Sequence, residues 1–215
     1  MNVDLRRPTI VIAGAFNPAI FTPEWIAAVL HEMPEGSDVE GLLVADTGRQ
    51  SVRTYINGVG IAIEGERLTV AWESLDGQSN DVAEKLVRRV AESLPHTPSN
   101  GVGVNFHFET TDFDAAVVDK LKMNDDPAQI GVVLQSDLKS KIQLESCILN
   151  FGRTILNDNF IAEFNYHHDI KSIQEIEVIF NGAKVSELFE QSKGILENFY
   201  GLDSDEIEYH KALAD

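Results

Sequence analysis

Residues 9–16 read Thr-Ile-Val-Ile-Ala-Gly-Ala-Phe, β-branched and apolar throughout, which predicts a buried strand. The pattern changes at Thr22-Pro23-Glu24: a hydroxyl cap, proline at the first helical position and an acid in the first turn. Trp25, Ile26, Val29 and Leu30 then recur on one helical face, and Pro34 and Gly36 should close it. Val39 to Ala45 predicts a short strand. Tyr55 to Ile63 and Arg67 to Glu73 predict a hairpin turned at Glu64-Gly65-Glu66. Asp81 and Glu84 are spaced as a capping box, ahead of Val82, Leu86, Val90 and Leu94 at helical period.

The second half is similar in kind. A strand runs through Gly101 to Glu109. Thr111 or Asp112 can cap a helix that uses Phe113, Ala116, Val117 and Leu121. Residues 130–136, 141–151, 160–168 and 173–180 all read as strands, and a last helix spans about Val185 to Tyr200. The tail from 203 to 215 is acidic and reads as a short helix or a frayed end. Consecutive strands without regular β-α-β alternation predict an α+β protein. Its sheet should be mixed or largely antiparallel, with helices packed mainly on one face. One continuous unit is expected, with two similar halves, 1–110 and 111–202, as a variant.

The halves share one pattern. Val-Asn-Phe-His-Phe-Glu at 104–109 and Phe-Asn-Tyr-His-His-Asp at 164–169 both place Asn, an aromatic, His, one further residue and an acid in order. In a strand, alternate residues share a side. Val104, Phe106 and Phe108 would face a core, leaving Asn105, His107 and Glu109 opposite. Phe164, Tyr166 and His168 would do the same, leaving Asn165, His167 and Asp169. If those strands were neighbours, two imidazoles and two carboxylates could converge on a ligand, and such donors suit Zn²⁺, Fe²⁺ or Mn²⁺. The preferred alternative is two solvated strand faces, with no metal bound.

Charge narrows the picture further. Seventeen Lys and Arg stand against 35 Asp and Glu, a net charge of −18, which repels phosphate backbones and anionic membranes. Direct nucleic-acid binding is therefore not expected, although an acidic mimic of nucleic acid remains a distinct alternative. No glycine-rich phosphate loop, nucleophile elbow or close-spaced metal motif occurs, and no cofactor is expected. The lone Cys147 lies in an apolar strand and reads as a packing residue. The start of the chain does not read as a signal peptide, and no stretch approaches the length of a membrane span.

These observations point to a cytoplasmic, non-catalytic protein that binds another protein or itself, a homodimer being the simplest case. Phe21 and Trp25 are the candidate partner anchors. The alternative is a small-molecule- or metal-dependent enzyme using the His107 and His167 faces.

Overall fold

A computed structural model describes residues 3–33, 41–46, 49–56, 58–121, 135–156, 158–202 and 207–209. The described strands are β1 (Val3–Gly14), β2 (Gly41–Asp46), β3 (Arg49–Ile56), β4 (Val59–Glu64), β5 (Arg67–Trp72), β6 (Ser99–Thr110), β7 (Gln135–Gln143), β8 (Ile148–Leu156), β9 (Asn159–Asp169) and β10 (Ile207–Tyr209). The helices are α1 (Pro23–Trp25), α2 (Gly77–Ser93), α3 (Ala115–Leu121), α4 (Glu175–Ile179) and α5 (Lys184–Ile195). Single π turns continue α1 over Ile26–Leu30 and α5 over Leu196–Tyr200. The hydrogen-bonded strand order is β2-β3-β4-β5-β1-β6-β9-β8-β7, with β10 paired in parallel to the start of β1. The meander β2 to β5, the β5–β1 pair and the β7–β8 hairpin are antiparallel. The class is α+β, as the pattern of strands and helices predicts. Among the described residues no helix is long and apolar enough to cross a membrane.

The chain divides into two compact units. The first contains 1–7, 105–166 and 188–215; the second contains 8–104 and 167–187. Strands β1, β6 and β9 each contribute to both. In the second unit the period-2 alternation is direct: Val59, Ile61 and Ile63 of β4 and Leu68, Val70 and Trp72 of β5 are buried, and their neighbours along the strand are less so. Ala83, Val87, Val90 and Ala91 of α2 are buried too. In the first unit Phe106, Phe108, Phe151, Phe164 and Phe189 form an aromatic core, with Phe151 and Phe164 stacked 4.6 Å apart. Tyr166 joins it from β9; its hydroxyl lies 2.9 Å from Ser192 Oγ on α5, and burial pushes its phenol up to about 12.

Several local expectations are corrected. The predicted strand 55–63 is two strands, β3 and β4, because Gly58 takes φ +79° and turns the chain; the Asn57-Gly58 pair is a strong hairpin signal. Residues 141–151 likewise hold a turn between β7 and β8. Residues 173–180 do not form a strand. They contain α4, in which Ile173, Ile176 and Phe180 are buried at i, i+3 and i+7, a helical spacing hidden by β-branched composition. Helix α2 starts four residues before the supposed box, and Asp76 caps it by accepting from Ser79 N at 2.7 Å. Helix α3 is capped by Asp114, not by Thr111 or Asp112. Part of the tail is strand β10. The first helix ends by Leu30; Pro34 and Gly36 lie outside the described residues, as do 130–134.

Glu84, freed from the capping role, is buried at 2 % exposure and accepts from Val185 N at the start of α5. Beside it, Trp72 Nε1 donates to Asn80 Oδ1 and Asn80 Nδ2 donates to Ser186 Oγ, so this buried polar chain is satisfied end to end.

Candidate functional site

Strands β6 and β9 are neighbours in the sheet. Their apolar faces are where alternation predicts: Val104, Phe106, Phe108, Phe164, Tyr166 and His168 are all buried. Asn105, His107, Glu109, Asn165 and His167 are half-buried on the other side, and Asp169 is exposed.

In the first unit this polar face is bonded to itself. Asn150 Nδ2 donates to Asn165 Oδ1 at 2.8 Å, and Asn165 Nδ2 donates to Asn105 Oδ1 at 2.6 Å, a three-residue amide ladder across three strands. Asn159 Nδ2 donates to Glu109 Oε1 at 2.8 Å. His107 sits between two acids, with Nδ1 3.6 Å from Glu163 Oε1 and Nε2 3.9 Å from Glu109 Oε2. Both ring nitrogens thus face carboxylates, so either tautomer of the ring turns an N–H toward an acid. Glu163, Asn150 and Asn159 were not singled out from the sequence. The same two-residue period that links Asn165 and His167 reaches back to Glu163, so the signal for that residue was present.

In the second unit His167 Nε2 lies 3.0 Å from Asp169 Oδ1, and Asp169 is 80 % exposed. The imidazole rests against Gly101, where an added Cβ would come within 2.8 Å of Cε1. That glycine is therefore fixed by the ring above it and not by turn geometry. His107 and His167 belong to different units, each with its own carboxylate neighbours. Among the described residues no group of three His, Cys, Asp or Glu is arranged to hold a metal ion.

The candidate anchors behave differently from one another. Asn17 Oδ1 accepts from Ala19 N and Thr22 Oγ1 accepts from Trp25 N, which together fix the corner between β1 and α1. That corner turns Phe21 fully inward, edge-on to Phe16 at 6.0 Å and to Trp25 at 5.2 Å. Trp25 is half-buried and Ile20 is exposed. Comparison with protein-family models and with curated proteins found no match to this chain.

Proposed function

We propose that this chain works by binding protein and not by catalysis, and that its partner is a second copy of itself, added strand to strand along β2. The observation that carries this reading is a contrast between the two ends of the strand order. Strand β7 carries Asp137, Lys139 and Lys141, all exposed, the kind of charged edge that resists pairing. Strand β2 reads Gly-Leu-Leu-Val-Ala-Asp, with no lysine, no proline and a charge only at its last position; among the described residues it pairs with β3 alone. Two such edges related by a twofold axis would make an isologous contact.

The polar face of β6 and β9 supports the same reading indirectly. Its amides and acids take one another as partners, which suits a device for strand register better than a ligand site. An acid–base or metal-dependent role for His107 and His167 is for that reason the weaker proposal. The net charge of −18 argues against nucleic acid as the partner. We place the protein in the cytoplasm, where its single thiol, buried Cys147, would stay reduced.

Light scattering on the full chain tests the proposal. The expected mass is twice 23.8 kDa, falling to one chain in Val44→Lys. Added salt should strengthen the dimer, since it screens repulsion between two acidic chains beyond about 8 Å at physiological strength. A wild-type monomer, or a Val44→Lys dimer, would refute it. Tight capture of a basic protein that weakens with salt would replace the second copy by that partner.

A further inference from the structure

We propose that the second unit holds a pocket for a small carboxylic acid with an apolar tail. A cavity of about 370 Å³ opens between the end of the first helical segment, the start of β4 and one face of α2. That is the small end of the range of ligand sites. Its floor is Leu30, Val59 and Leu86, each 2 % exposed, and Val82 forms a side wall. These four aliphatic side chains have no polar group to offer, so the body of the ligand is hydrocarbon.

The rim supplies the opposite chemistry. Gln78, Ser79, Val82, Lys85 and Leu86 fall on one helical face of α2, which brings two donors from the first turn and one ammonium to the mouth. Lys85 is the single charged residue among those lining the cavity. Its ammonium already holds a carboxylate: Glu32 Oε2 lies 3.2 Å away, with both side chains more than half exposed. Glu32 also pairs with Arg89, so Lys85 can turn to a ligand carboxylate without leaving Glu32 unpaired.

His31 closes the mouth on the other side. Its Nε2 is buried with no hydrogen-bond partner among the described residues. Burial, and then the nearby Arg89 charge, hold the imidazole below its ordinary pKa, so it adds no second positive charge to the lining. A cationic ligand would be repelled by Lys85, and a bare hydrocarbon would make no use of that ammonium. The combination selects a monocarboxylate.

The test is calorimetric titration of the full chain with octanoate, with octylamine and 1-octanol as comparisons. Octanoate should bind saturably at one site per chain, and octylamine should not bind. Lys85→Gln should weaken octanoate about tenfold, the effect of losing one charge-assisted bond. Glu32→Gln should tighten it by releasing Lys85. Val82→Trp should abolish binding by filling the cavity; Lys85 and Glu32 are exposed, so their variants keep the test valid if Val82→Trp fails to fold. No saturable octanoate binding, equal affinity for 1-octanol, or binding indifferent to Lys85→Gln would overturn the proposal.

Discussion

Replacing Glu84 by glutamine should make the protein more stable relative to wild type as pH rises. Glu84 is a carboxylate with 2 % exposure, and burial raises its pKa above the ordinary value; the charge of Asp81 adds to this, while the Val185 amide, Arg88 and Lys184 oppose it. A raised pKa means that the folded chain holds the proton more tightly than the unfolded chain. Below the unfolded value, near 4.3, both states are protonated and Glu84 carries no penalty. As pH climbs through the unfolded value toward the folded one, only the unfolded chain releases its proton. Stability then falls by up to about 1.4 kcal/mol per pH unit for one proton of difference. The glutamine cannot ionise, yet its carbonyl can still accept from Val185 N. The difference between Glu84→Gln and wild type should therefore be constant at low pH and should grow in favour of the variant from about pH 4.5 upward. Every other titrating group is common to both proteins and cancels. Glu84→Ala gives the complementary measurement: it leaves the Val185 amide buried without a partner, a cost of about 1–3 kcal/mol at all pH values. Denaturant titrations from acid to neutral pH, followed by the fluorescence of buried Trp72, would measure all three proteins. A difference that stays flat would show that folding leaves the carboxyl pKa unmoved, and one that grows in favour of wild type that the carboxylate is stabilised as an anion at the start of α5; either result would refute the reasoning.

Two further outcomes are expected. Phe106→Ala should cost about 3–5 kcal/mol in chemical denaturation as a core deletion, and His107→Ala distinctly less; equal costs would contradict the strand phase. Gly101→Ala should cost about 1 kcal/mol by displacing the His167 ring, and this cost should vanish in a His167→Ala background, which a double-mutant cycle would read directly.

Periodicity carried most of the fold and less of the site. Alternation placed Phe106, Phe164 and His168 inward and Asn105, His107, Asn165 and His167 outward, because one buried face is enough to fix strand phase. It failed at 173–180, where Ile, Val and Phe dominate and only the three-and-four spacing of Ile173, Ile176 and Phe180 reveals a helix. It failed at Asn57-Gly58 because apolar residues on both sides disguised the turn as one long strand. The neighbour relation of β6 and β9 is a property of pairing, and nothing local encodes it. Nor can spacing reveal that Glu84 lies inside: an acid on an amphipathic helix reads as solvated until another helix start, here Val185, is known to need an acceptor. The pocket was invisible for the same reason, since Leu30, Val59 and Val82 come from separate elements and each alone reads as ordinary core.

The division of β1 between the two units has a consequence for how the chain is made. Residues 1–7 leave the ribosome well ahead of the rest of their unit, which begins only at residue 105, and strand β10, which pairs with Val3 to Leu5, follows only at Ile207. The second unit must likewise wait for residues 167–187 to complete what 8–104 began. Neither unit can be finished by a nascent chain that has not yet released residues 167–187. Such long waits between partner segments slow folding and prolong the exposure of apolar strands, so this protein should lean on chaperones during translation more than a chain of equal length built from sequentially closed modules.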